Sequence, residues 1–293
     1  GSVLDGDGVM QRLALDGGRA HYTRRFVRTP KLQAEEAAGR FLWKTWTTRA
    51  PGLRRNPGQN IPPQAGVTTY LINGRLYALD EVAPAFEIDP QSLATRDAVR
   101  VGLPAADEGL KAHVRYLADS GDWLFLSTRM GPNGMAINIV RHRRDGRRVA
   151  TPSVRAPRMA YLHDFVVTDR HAVVFLQPAF LRPLRFLSGL WTFGQALQWR
   201  PDAGTVVLAI DLDSGATTSF DAPAAWVWHI ANAYMRDGQI VVDFVGYDDP
   251  GHFLGRDAQL TAIMRGHDGV RGAPGTLRRY ILDLNTGQLT HFV

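Results

Sequence analysis

The 293-residue sequence has no cysteine. That rules out disulfides and thiolate metal sites and fits a reducing compartment. No run of about 20 apolar residues occurs, so no transmembrane helix is predicted. Gly1-Ser2-Val3-Leu4 carries no signal-peptide pattern. The expected location is cytoplasmic, with membrane association raised by one apolar segment described below. Acidic residues are the minority, 28 against 34 lysines and arginines, for a formal charge of +6. The excess is scattered except for Arg141-His142-Arg143-Arg144 with Arg147-Arg148. That cluster surrounds Asp145-Gly146 and reads as a solvated hairpin tip, with anionic lipid headgroups as the second choice. No aromatic-basic platform for single strands appears, so nucleic acid is not an expected partner.

Hydrophobic residues make up 45% of the chain and charged residues 21%, which predicts a packed core. The length suits a single large all-β unit. Short strands joined by turn residues recur throughout. Leu13-Ala14-Leu15 and His21-Tyr22-Thr23 flank Asp16-Gly17-Gly18. Tyr70-Leu71-Ile72 and Arg75 to Leu79 flank Asn73-Gly74, the strongest hairpin signal in the sequence. Phe165-Val166-Val167 and Ala172 to Phe175 flank Thr168-Asp169-Arg170.

A weak repeat favours a propeller over a sandwich. Phe86-Glu87-Ile88-Asp89, Leu208-Ala209-Ile210-Asp211 and Tyr280-Ile281-Leu282-Asp283 each form a strand ending in Asp, followed by a turn and a second strand. Their spacing is irregular, as insertions between blades would make it.

Three segments depart from this pattern. Gln33 to Arg40 is rich in helix formers and ends at Gly39. Arg49 to Gly66 reads as loop. Residues 176–199 form an apolar insertion in which Leu184, Leu187 and Leu190-Trp191 recur at helical intervals beside Arg182 and Arg185. Phe180, Phe186 and Phe193 add to it. Two readings stay open: a helix capping the core, or a membrane-facing patch at a substrate entrance.

Histidines stand just before or within strands at three places: Ala112-His113-Val114, Leu162-His163-Asp164-Phe165 and Trp228-His229-Ile230. Each precedes a hairpin, which suggests three imidazoles converging on an axis from separate sheets. Leu162-His163-Asp164-Phe165 and Trp228-His229-Ile230-Ala231-Asn232-Ala233-Tyr234, leading into Asp237-Gly238, resemble two iron-ligand motifs of the carotenoid cleavage oxygenase family. Asp5-Gly6-Asp7-Gly8-Val9-Met10, Gly74 to Glu81 and Trp199 to Thr205 support the resemblance.

What the resemblance implies is a seven-bladed β-propeller, here incomplete, with ferrous iron on its axis. His113, His163 and His229 match three of the family's four histidine ligands. Glu81 matches a glutamate that orients a ligand, here His163; the alternative is a solvated carboxylate at a hairpin end. The implied reaction is cleavage of a conjugated carbon–carbon double bond by dioxygen. The implied substrates are small and apolar: a carotenoid, an apocarotenoid or a stilbene-like molecule. Tyr161, Phe165, Trp226, Trp228 and Tyr234 are candidate tunnel or core residues. His21, His142, His171, His252, His267 and His291 lack motif context and are read as surface or second-layer groups.

Two departures stand out. The family's Trp-Phe-Asp-Gly-Asp-Gly-Met is Val3-Leu4-Asp5-Gly6-Asp7-Gly8-Val9 here. Its Asn-Thr-Asn-rich segment near the oxygen site is replaced by Asn56 to Pro63. The fourth histidine's context is missing, and both ends read as cut inside strands, so residues 1–293 are expected to be one partial propeller domain with little activity alone. A propeller binding module without chemistry and a non-oxidative isomerase on the same scaffold remain as alternatives.

Overall fold

The computed structural model describes residues 2–52, 56–58, 60–82, 84–101, 109–131, 133–254, 262–266 and 274–293. The chain opens with the hairpin β1 (Val9–Asp16) and β2 (Arg19–Phe26), then helix α1 (Pro30–Ala38). Four antiparallel sheets follow in chain order. The first holds β3 (Thr68–Ile72), β4 (Arg75–Leu79), β5 (Ala85–Ile88) and β6 (Thr95–Val99). The second holds β7 (Gly109–Leu117), β8 (Asp122–Gly131), β9 (Gly134–His142) and β10 (Arg148–Ala150), with β11 (Val154–Arg155) also on β9. The third pairs β12 (Phe165–Val167), β13 (His171–Leu176), β16 (Thr205–Asp211) and β17 (Thr217–Ala222). The fourth pairs β18 (Trp226–Arg236), β19 (Gln239–Tyr247), β20 (Thr276–Asp283) and β21 (Leu289–Phe292). These sheets are blades of a β-propeller.

The apolar pattern explains the packing. Blades stack face to face, so their middle strands are covered on both sides. Val173, Val174, Val207, Leu208, Ile240 and Val241 are accordingly buried in continuous apolar runs. Outer strands β6 and β21 are mostly exposed. Apolar layers fill the gaps between successive blades: Phe125 with Leu79 and Ile72, Phe165 with Leu124 and Ile139, Phe244 with Phe175 and Phe220. Each fully buried side chain of this kind contributes roughly 1.5–3 kcal/mol.

The irregular repeat is a regular structure. Asp89 Oδ1 accepts the backbone N–H groups of Gln91 and Ser92, Asp211 those of Asp213 and Ser214, and Asp283 those of Asn285 and Thr286. The same side-chain turn thus closes the outer hairpin of three blades. Leu93 takes the left-handed conformation that Gly215 and Gly287 supply in the other two.

Asn73-Gly74 and Asp237-Gly238 are two-residue turns with both residues at positive φ, which match the twist of their strands. Helix α1 begins earlier than its helix formers suggest, because Thr29 caps it and Pro30 fits the first turn. In the basic cluster, Asp145-Gly146 turns between β9 and β10 and is exposed, as expected of a solvated hairpin tip.

The 176–199 insertion leaves the third blade between β13 and β16. Its base is a two-stranded ribbon of β14 (Ala179–Leu181) and β15 (Leu197–Trp199). Between them lie helices α2 (Pro183–Ser188) and α3 (Phe193–Ala196). The helical interval does not reach Leu190-Trp191. Gly189 ends α2 in the left-handed conformation, and a Cβ there would meet Asn56 C at 2.4 Å.

Candidate metal centre

The site is assembled from inner strands. β7 carries His113, β18 carries His229, and His163 lies two residues before β12. Pairing of β7 with β8 shifts between Leu110 and Val114, and pairing of β18 with β19 shifts between Val227 and Ile230. Such bulges re-aim side chains, and here they bracket His113 and His229. Residues 113, 163 and 229 come from three blades, yet their ring nitrogens meet. His113 Nε2 lies 3.1 Å from His163 Nε2, which is 3.4 Å from His229 Nε2. All three candidate ligand atoms fall within 4.8 Å of one another.

The 3.1 and 3.4 Å separations fit a metal. Imidazole nitrogens held about 2.0–2.1 Å from one ion, at octahedral to tetrahedral angles, stand about 2.8–3.4 Å apart. Burial, with the neighbouring imidazoles, pulls His113 down to about 4, and partial burial with His163 lowers His229. Both are therefore neutral near pH 7, with lone pairs available for a cation.

Glu81 follows β4, in the first blade, and reaches across to His163. Its Oε1 accepts the hydrogen bond of His163 Nδ1. This contact fixes the ring and turns Nε2 of His163 toward the axis. Tyr161 Oη donates to Glu81 Oε2 at 3.2 Å. Burial alone would raise the Glu81 carboxyl. The Lys111 charge, the close approach of His163 and the hydrogen bonds from His163 and Tyr161 outweigh it and hold Glu81 at about 2. Burial and the Glu81 charge keep Tyr161 well above the usual phenol value, so it is a neutral donor.

A cavity of about 400 Å³ opens on the three histidines. Trp46, Val67, Tyr161, Trp228 and Phe253 give it apolar walls, with Gln64, Asp80 and Glu81 as the polar groups beside the histidines. A second cavity of about 420 Å³ shares Trp46, Glu81 and Tyr161 with the first and runs under the insertion, where Phe186, Phe193 and Leu197 line it.

The residues expected at an entrance divide. Leu184, Leu187 and Leu190 are exposed at 86%, 47% and 58%. Phe186 and Phe193 face the second cavity instead. Trp191 lies under the Arg185 guanidinium, 4.9 Å from its ring centre. Phe180 packs on the core between the second and third blades, because β14 is tied to β15 there.

Other expectations resolve similarly. Phe165 and Trp226 are core, whereas Tyr161 and Trp228 line the cavity. Asn60 and Ile61 belong to the second cavity, and the wall beside the histidines is instead Gln64, Gly66 and Val67. Asn56 is tied to the backbone of Ala50 and Gly52. His252 accepts from Trp228 Nε1 at 2.6 Å, so it is a second-layer group. His267 and Gln59 lie outside the described residues.

No sequence pattern singles out Trp46 and Phe253. They come from loops and reach the cavity through tertiary packing, with Trp46 edge-on to Phe193 and Phe253 against Trp226 and Trp228. The Asp5-Gly6-Asp7-Gly8 stretch is a backbone hub beside this wall. Asp5 binds the Thr45–Thr48 segment, and Asp7 pairs with buried Lys31 at 3.1 Å. A Cβ on Gly8 would stand 2.0 Å from the carbonyl oxygen of Ala65, so only glycine fits.

Blades that bring three imidazoles to one point beside an apolar cavity define a propeller of the histidine-metal class. The sequence pattern described as retinal pigment epithelial membrane protein matches residues 1–292, and the chain belongs to that family. It is 25% identical over 255 residues to the apocarotenoid-15,15'-oxygenase of Synechocystis, covering 84% of this chain and 52% of that one. It is also 25% identical to the isoeugenol monooxygenase of Pseudomonas putida, over 83% of this chain and 51% of that one. The resveratrol cleavage oxygenase 1 of Aspergillus fumigatus is 27% identical over 88% of this chain and 52% of its own. The chain therefore spans about half the length of these relatives. The fold of a cobalt-substituted Synechocystis apocarotenoid oxygenase superimposes with a TM-score of 0.87 at 23% identity, covering 98% of this chain and 61% of that one.

Proposed function

We propose that this polypeptide carries the iron-binding part of an oxygenase that cleaves a conjugated carbon–carbon double bond in a small apolar substrate. Convergence of the Nε2 atoms of His113, His163 and His229 on the floor of an apolar cavity carries the reading. The relatives named for apocarotenoid, isoeugenol and resveratrol substrates support the substrate class: carotenoids, apocarotenoids or stilbene-like molecules. Dioxygen is the co-substrate. One carbon–carbon double bond breaks and two carbonyls form, each taking one oxygen atom.

His113, His163 and His229 would hold the metal, and the nitrogen-only donor set suits ferrous iron. Iron supplies dioxygen binding and activation when bound. The remaining work belongs to the chain. Glu81 holds the Nδ1 proton of His163 and fixes its ring. Tyr161 remains protonated and fixes Glu81. Trp228, Phe253 and Trp46 exclude water and orient a rigid substrate. The second cavity would admit the substrate from beneath α2.

The exposed Leu184, Leu187 and Leu190, flanked by Arg182 and Arg185, support seating this entrance in a membrane surface. An apolar polyene would then reach the cavity without crossing water. The location that goes with this reading is cytoplasmic and membrane-associated. Among the described residues no helix is long and apolar enough to cross a membrane.

The test is iron content by elemental analysis together with mass spectrometry of products from a panel of polyenes and stilbenes. Residues 1–293 are expected to bind one iron and, in the presence of oxygen, to yield carbonyl fragments only slowly. Iron-free protein after anaerobic ferrous loading would overturn the proposal.

A further inference from the structure

The three histidine segments belong to separate blades, with no backbone ladder between these blades among the described residues. Something other than strand pairing must set the spacing of their imidazoles. Below the histidines lies a second point of convergence. The Asp164 carboxylate accepts both of its closest contacts, 2.6 Å each, from one guanidinium nitrogen of Arg115. It also accepts the backbone N–H of Phe165 at 2.7 Å and of Ile230 at 2.9 Å. Arg115 Nε in turn donates to the Phe165 carbonyl at 2.5 Å. The Asp164 side chain is only 2% exposed.

The members of this node mirror the metal triad. Arg115 is two residues beyond His113 on β7. Asp164 is the residue after His163. Ile230 is the residue after His229 on β18. Among the described residues, Asp164 is the side chain hydrogen-bonded to all three of these segments. A buried carboxylate of this kind stays in place only while every donor reaches it, since losing one leaves charge unsatisfied. Its donors therefore hold the three segments, and the histidines attached to them, in one arrangement.

We propose that Asp164, clasped by Arg115, is the positioning residue that sets the spacing of the three histidines and hence the affinity and geometry of the metal site. The proposal rests on the metal reading above. It assigns the clasp no contact with metal or substrate. Its function is to convert the docking of three blades into a fixed ligand geometry, where tolerances are about 0.2 Å.

Cobalt(II) provides the test, because its visible absorption reports ligand geometry without turnover. The intact polypeptide is titrated with cobalt as wild type, Asp164→Asn and Arg115→Lys. Asp164→Asn keeps the volume but cannot accept four hydrogen bonds with a charge. It is expected to weaken cobalt binding about 10- to 100-fold, the range for partners that orient ligands, and to shift the absorption band. Arg115→Lys retains the charge but loses the planar fork, and is expected to fall between wild type and Asp164→Asn in both readouts. Should Asp164→Asn fail to fold, Arg115→Lys alone decides. Wild-type affinity and spectrum in the folded variants would overturn the proposal and leave the metal reading intact. No cobalt uptake by wild type would overturn both.

Discussion

At the axis, polar side chains are buried; on α2, apolar side chains are exposed. Both regions invert the usual partition of a folded chain, and each is held in a different way. Glu81, His163 and Asp164 are nearly inaccessible, and each has charged or hydrogen-bonded partners drawn from other blades. The α2 segment is fastened only on its inner side. Gly58 N–H donates to the Leu187 carbonyl, Lys44 Nζ donates to the Phe186 carbonyl and lies over its ring, and Arg49 reaches the Leu190 carbonyl. Its outer leucines face solvent. Burying polar groups costs stability unless all are paired, so their presence marks chemistry. Exposing large apolar groups in a cluster marks a surface that meets something apolar. Under the proposed function the axis is a rigid site and α2 a docking edge, and the two should separate under mutation.

The largest effect belongs to the axis. Replacing both His163 and His229 with alanine leaves one candidate imidazole, His113, among the three that converge. Metal uptake, read by elemental analysis after ferrous loading, is expected to vanish while vesicle binding persists. Retention of stoichiometric metal by the double variant would show that the histidines are not the ligands.

Glu81→Gln comes next. Glutamine keeps the volume and one acceptor but loses the charge that favours the Nδ1–H tautomer of His163. Metal affinity is expected to drop about 10- to 100-fold, as for other partners of ligating histidines. Unchanged affinity would reduce Glu81 to a packing role.

On the other side, serine at Leu184, Leu187 and Leu190 together is expected to lower co-sedimentation with phospholipid vesicles severalfold. Metal affinity should not move, and the melting temperature should hardly move, because exposed substitutions usually change stability by less than about 0.5 kcal/mol each. Loss of metal in this variant would mean that α2 supports the axis, and the separation of the two regions would fail.

The histidines were legible because each sits in a local motif whose strand and turn residues are contiguous. The same holds for Asn73-Gly74 and for the Asp-turn repeat, where one carboxylate and two following N–H groups make the structure. Glu81 was legible only as a match to the glutamate that the family resemblance implies; its place at a hairpin end, read alone, suggested a solvated carboxylate. What the sequence concealed is non-local. The pairing of Arg115 with Asp164 joins residues 49 positions apart. The cavity wall at Gln64, Gly66 and Val67 adjoins the histidines only through tertiary packing, which nothing local in the sequence encodes. In the insertion, the leucine spacing runs on past Gly189, where the helix stops. A leucine period cannot reveal that the close approach of Asn56 and Pro57 ends the helix there.

A smaller test asks whether every buried polar network serves the metal. Asp5 stands between Leu4 and Gly6, which line the cavity wall, and none of its hydrogen bonds is to a candidate metal ligand. It accepts from Thr45 Oγ1 at 2.7 Å, Thr47 N at 2.9 Å, Thr47 Oγ1 at 2.5 Å and Thr48 Oγ1 at 2.6 Å. Burial alone would raise this carboxyl, but the hydrogen bonds outweigh it and lower it from 3.8. A folded-state value below the unfolded one means that the stabilisation is present above the unfolded value and is lost as the pH falls through the folded value. Thr47→Val removes one donor and is expected to cost about 1 kcal/mol at pH 7. Denaturant melts should show that deficit shrinking in acid, where Asp5 is protonated in both proteins. Metal affinity should stay at the wild-type value. A deficit that persists undiminished at low pH would assign the loss to packing of the threonine methyl rather than to the carboxylate. A fall in metal affinity would tie this network to the axis after all.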